Sequence, residues 1–243
     1  MTTYLTTVEV GKFDLTVSTF DGLTSYVAVD PQLAKGQVLA KLPDVIRFYS
    51  SIYGPYPFSS VGAIVDSAKN LGYSLETQTK PLFPYVPDEA TLVHELSHQW
   101  FGDSVTLSTW PDIWLHEGFA TFSEWIWSEH VGNKSAAQSF KELYAKPAKD
   151  DAFWNPPPGN PGTPFYLFNG TIYLRGGMTL EALREKIGDD TTFFQIMRDY
   201  AQENRFGNAT TATFERIAER DSGLALGTFF QAWLYTPGKP TSW

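Results

Sequence analysis

Along residues 4–29, apolar and polar side chains alternate in short runs of Val, Thr, Tyr and Phe that break at Gly11 and at Asp21-Gly22. A period of two punctuated by turn residues marks half-buried strands, so this stretch predicts two or three strands of a β-meander. Across residues 31–53 the period lengthens. Leu33, Val38, Leu39, Leu42, Ile46 and Tyr49 recur at helical spacing, with Pro43 as the point where the helix divides in two. GPYPFSS, residues 54–60, reads as a turn, and strands follow at 61–65 and 73–77.

Beyond residue 88 the pattern is predominantly helical, over 89–101, 115–131, 134–145, 167–187, 191–203, 211–220 and 226–235. Strands first and helices later predict an α+β fold, a small N-terminal β-sheet region followed by a mainly helical C-terminal region. Residues 146–164, KPAKDDAFWNPPPGNPGTP, interrupt it, too rich in proline for a helix and long for a connection. They read either as a surface excursion or as a loop that shapes the mouth of a cleft.

With 243 residues, 42% apolar and 16% aromatic, the chain can bury a substantial core, as one large domain or two small ones. The net charge of −9 and the lack of any lysine or arginine cluster argue against a nucleic-acid partner. An acidic surface suits cationic ligands such as peptide amino termini, although acidity also serves simply to keep proteins dispersed. There is no cysteine, so a transition metal would have to be held by imidazole and carboxylate. No basic and apolar leader opens the sequence, and no apolar run approaches the ~20 residues that span a bilayer. The expectation is a soluble chain without membrane contact, in the cytoplasm.

The candidate chemistry lies in VHELSHQWFGDS, residues 93–104. On a helix, residues four apart lie one above the other, so His94 and His98 can share one ion while Glu95, offset by about 100°, stands beside it. They read otherwise as two histidines on a helix face satisfied by neighbours. A hydrolytic zinc takes three protein ligands and keeps a fourth position for water. After His98 come eighteen residues and then Glu117, in WLHEGFATFSEW, a candidate third ligand or else a carboxylate at a helix start.

HELSHQWFGDSVT followed at that interval by EGFATF resembles the zinc aminopeptidases of the aminopeptidase N type, relatives of thermolysin in the gluzincin group. The resemblance implies a thermolysin-like catalytic domain in which His94, His98 and Glu117 bind one Zn²⁺ per chain and Glu95 activates water. It departs from the family at His116, where asparagine is usual; His116 is not expected to be a ligand, and His130 is expected at the surface. TIYLRGG supplies Tyr173, Arg175 and Gly176, where the family has a tyrosine that donates to the developing oxyanion; the rival reading of Tyr173 is a core residue. YSLET, residues 73–77, is a poor match to the family's Gly-Ala-Met-Glu-Asn strand. It keeps only Glu76, which would pair with the substrate's free α-ammonium group or else face solvent. Glu124 and Asp103 are candidates to support the metal-binding imidazoles.

The resemblance further implies that residues 1–30 are the terminal strands of an otherwise absent N-terminal β saddle domain and residues 31–243 the catalytic domain. The chain would then be a portion of a short bacterial member, with Met1 an artificial start. The expected function is zinc-dependent removal of N-terminal residues from peptides with a free N-terminus. A zinc endopeptidase with the same core, or a catalytically silent peptide-binding homologue or fragment, are the alternatives.

Overall fold

The alternation at the start of the chain becomes a hairpin of β1 (Asp14–Phe20) and β2 (Leu23–Val29), paired from Asp14↔Val29 to Phe20↔Leu23. Asp21 and Gly22 turn it with φ of 49° and 80°, the left-handed pair that matches strand twist. Residues 3–5 form a 3₁₀ turn rather than a third strand. In this computed structural model the described residues are 2–33, 36–67 and 71–241, so positions 34 and 35 of the predicted 31–53 helix lie outside them.

That helix starts later than its periodicity predicts. A 3₁₀ turn, Gln37–Lys41, leads into α1 (Leu42–Tyr53), and Pro43 sits in the first turn, where its missing N–H breaks no bond. β3 (Ser60–Val65) then pairs parallel to β2, and β4 (Leu82–Phe83) pairs parallel to β3, giving a four-stranded sheet in the order β1-β2-β3-β4. Residues 73–77 are not the expected strand. Leu75 makes one antiparallel bridge with Leu82, because the chain turns back at once through Thr77 to Lys80, with Thr79 at φ 67°.

The remaining elements are α2 (Glu89–Ser97), β5 (Val105–Leu107), α3 (Trp114–His130), α4 (Ala136–Tyr144), α5 (Asp151–Trp154), α6 (Gly170–Ile187), α7 (Asp190–Glu203), β6 (Gly207–Ala209), α8 (Thr211–Ser222) and α9 (Gly227–Phe230). The last continues as a π-turn over Gln231–Tyr235. Their ends follow local chemistry: Asn169 and Thr210 cap α6 and α8 at the start, and left-handed Gly188 and Gly223 close them. β5 and β6 pair in parallel, and three residues each are too few for a strand period to show in the sequence.

Two features fix what surrounds the site. α3 and α6 pack together more extensively than any other helix pair. At their crossing Gly118 meets Gly176, and a Cβ on Gly118 would stand 2.8 Å from the Gly176 Cα, so only paired glycines let the backbones come this near. Arg175, next to that crossing, is wholly buried, and its guanidinium donates to the carbonyls of Trp154, Ala232, Trp233, Thr236 and Gly238. Five carbonyl contacts satisfy a cation that pairs with no carboxylate among the described residues, and burial pushes it down to about 10.

This bond set also decides the reading of residues 146–164. Trp154 is fully buried, Gly159 donates to the Leu234 carbonyl and the Gly238 amide donates to Asn155. The middle of the segment is tied to the C-terminal residues, while residues 146–152 and 162–164 are exposed, so it is a surface excursion pinned at its centre. No described helix is long and apolar enough to cross a membrane.

Candidate metal centre and cleft

α2 is fixed at both ends. Asp88 caps it by accepting from the Thr91 amide at 2.8 Å, and Leu92, Val93 and Leu96 are buried in the core. The helix ends at Ser97, short of the predicted residue 101, but His98 keeps helical dihedrals (φ −59°, ψ −18°), so the four-residue stacking survives. The two rings lie 4.9 Å apart.

Glu117 arrives from the first turn of α3 and turns its carboxylate to both. Its Oε2 is 3.3 Å from His94 Nε2 and 3.6 Å from His98 Nε2, and the three residues offer ligand atoms within 4.8 Å of one another. Metal–ligand bonds of ~2.0–2.1 Å in a tetrahedron set ligand atoms about 3.4 Å apart. The two distances from Glu117 to the imidazoles are close to that edge, and three protein ligands leave one position of a four-coordinate ion open.

The outer ring nitrogens are held as well. His94 Nδ1 donates to Glu124 Oε1 at 2.6 Å and His98 Nδ1 donates to the Phe101 carbonyl at 3.0 Å, which turns both Nε2 atoms inward. Of the two supporting candidates, only Glu124 touches an imidazole. Asp103 is buried, and its carboxylate has no hydrogen-bond partner among the described residues. Replacing Glu124 by Ala is expected to lower metal affinity about 10–100-fold with the fold intact, read by competition with a chromogenic chelator. An unchanged affinity would remove Glu124 from the site.

His116 lies beside His98, ring centroids 6.3 Å apart, yet outside the ligand group, and burial pushes it down to about 3. His130 is exposed and stacks on Phe48.

The charges in this region call for a cation. Burial disfavours a charged His98, but the hydrogen bond and charge of Glu117 override it and push the imidazole up to about 9. Burial likewise works against ionised Glu117, and the two imidazoles overcome it, holding the carboxyl well below its ordinary range. Burial pushes Glu95 up to about 7, the imidazoles opposing and Glu76 and Glu117 reinforcing the rise. Protons on the histidines thus stand where a divalent ion would balance buried carboxylates.

Beside the group opens a cleft of about 590 Å³ whose walls include Glu76, Leu75, Trp110, Glu117, Phe168 and Tyr173. Glu76 is buried rather than facing solvent, at 6% exposure. Tyr173, on the first turn of α6, stacks at 6.1 Å on the His94 ring, and burial with Glu117, Glu76 and Glu95 nearby raises its pKa. All six residues singled out in the sequence are thus brought to one region. Trp110, Phe168 and Tyr4 also line the cleft; Trp110 lies in a short turn without a periodic signal, whereas Phe168 and Tyr4 fall in turns where the sequence pattern predicts the start of a helix and of a strand.

Comparisons with known proteins agree with this arrangement. The chain is 27% identical to the probable aminopeptidase 2 of Sulfurisphaera tokodaii over 99% of its own length and 34% of that protein, and 28% identical to the glutamyl aminopeptidase of Sus scrofa over 93% of its length and 24% of that protein. Among solved structures it superposes on an M1 zinc metallopeptidase from Deinococcus radiodurans with a TM-score of 0.81 at 27% identity, covering 95% of this chain and 54% of that one. A mutant of that enzyme bound to a Tyr-Ser-Ala substrate matches equally, with a TM-score of 0.81 at 26% identity. The chain thus spans about a third or less of the curated relatives named here and about half of the structural ones. The profile of the Peptidase family M1 domain matches residues 85–233, which contain the histidine pair, Glu117 and Tyr173, and this chain belongs to peptidase family M1.

Proposed function

We propose that this chain carries the hydrolytic unit of a zinc aminopeptidase, which removes the first residue of peptides with a free N-terminus. The observation that carries the reading is the convergence of His94, His98 and Glu117, with ligand atoms within 4.8 Å of one another, on the edge of a cleft that also holds Glu76 and Tyr173. The relatives' names and the peptide seen in the Deinococcus structure agree with it. Residues 31–243 are assigned to the catalytic unit, and β1 and β2 of residues 1–30 continue its four-stranded sheet, with Leu15 and Val17 exposed on the outer strand.

His94, His98 and Glu117 would hold zinc, which supplies a Lewis acid for the scissile carbonyl and for water. The protein's own groups do the rest. Glu95, beside the ligands but not among them, takes a proton from the attacking water and delivers it to the leaving amine. The Tyr173 hydroxyl, kept protonated by its surroundings, donates to the oxyanion as charge develops there. Glu76, a buried carboxylate on the cleft wall, pairs with the α-ammonium and thereby sets the cut one residue from the end.

The test is an aminoacyl-anilide assay on metal-loaded protein with free and N-acetylated substrates, for wild type and Glu76→Gln. Wild type is expected to cleave only the free amine, and Glu76→Gln to raise KM by about 10-fold or more, the scale of a lost charge-assisted contact. Equal cleavage of both substrates by wild type would indicate an endopeptidase, and no cleavage of either a silent homologue.

A further inference from the structure

The carboxylate of Glu76 is buried, but among the described residues one side chain only donates to it: the Tyr4 hydroxyl, at 3.1 Å from Oε1. Tyr4 belongs to none of the motifs discussed above. It sits in the 3₁₀ turn Thr3–Leu5, which is anchored at Leu5. Leu5 is buried, and its carbonyl accepts from the Gln78 amide at 3.2 Å, two residues beyond Glu76. The phenol ring lies 5.3 Å from the ring of Trp110, which also lines the cleft. The hydroxyl is therefore aimed by a backbone tie beneath it and by an aromatic neighbour beside it.

We propose that Tyr4 is a positioning residue that holds the Glu76 carboxylate on the cleft wall in the orientation that receives a substrate's free ammonium group. The inference rests on the reading of Glu76 above. One oxygen engaged by a phenol leaves the second for the ammonium, and a neutral donor fixes the carboxylate without neutralising it. Burial and the neighbouring Glu76 charge raise the Tyr4 pKa, so the phenol stays a donor. A tyrosine that only packed the first residues of the chain would need its ring and not its hydroxyl.

Tyr4→Phe keeps the ring on Trp110 and deletes the hydroxyl. In the full chain, it is expected to raise KM for an unblocked tyrosyl-anilide about tenfold, with a much smaller change in kcat. The same substitution in a Glu76→Gln background is expected to change KM less than about twofold, since the group it acts through is gone. Calorimetric titration with L-tyrosinamide and with its N-acetyl derivative gives a readout independent of turnover: wild type prefers the free amine, and Tyr4→Phe loses most of that preference. Equal KM effects in the two backgrounds, or an unaltered preference in Tyr4→Phe, overturns the role of Tyr4 alone. A wild type without preference overturns the Glu76 reading, and this inference with it.

Discussion

Glu95→Gln is expected to lower kcat on an unblocked aminoacyl-anilide by about 10²–10⁴-fold, the range for removing a positioned acid–base group. KM and metal content should stay close to wild type. Glu95 is nearly buried, at 7% exposure, and glutamine has its shape, so α2 and its two imidazoles keep their places. Glu95 is not one of the ligand group, so the ion loses nothing. What disappears is the carboxyl that accepts and returns the proton. Kinetics and metal analysis on one preparation decide the matter. A variant that keeps its metal and most of its activity would move the proton transfer to another group.

Glu117→Gln has the second large effect, of another kind. Glu117 binds both imidazoles through one oxygen, and an amide in its place supplies a neutral and far weaker ligand. Metal affinity should fall by more than the about 100-fold that an outer-sphere change can cause. Because an ion bound to the folded state alone stabilises it by about 2.7 kcal/mol at a hundred times its Kd, a chelator should lower the wild-type melting temperature by on the order of 5–10 °C. The variant should show almost no chelator response. A chelator shift equal to that of wild type would place the ion elsewhere in the chain.

Much of this was legible in the sequence because helices and motifs are local. The i, i+4 histidine pair needs only one helical turn to be geometrically committed, and the apolar stripe of α2 guarantees that turn. Glu117 could be picked out by spacing, but its approach to the pair depends on how α3 packs against α2, which no local pattern states. Two things escaped. Residues 73–77 carry strand-forming side chains, yet the turn at Thr79 leaves space for a single bridge at Leu75. Residues 146–164 look like a linker by composition, while their actual place is set by Arg175, more than ten residues away in sequence. Tyr4 is the same case at longer range, since its bond to Glu76 joins residues 72 apart.

The glycine crossing of α3 and α6 has a consequence for how such an enzyme can vary. Glu117 precedes Gly118 and Tyr173 lies one turn before Gly176, so the separation of the main-chain positions that carry these two side chains is set by backbone contact. Substitutions in the surrounding aromatic interior can reshuffle side chains while those two positions keep their separation.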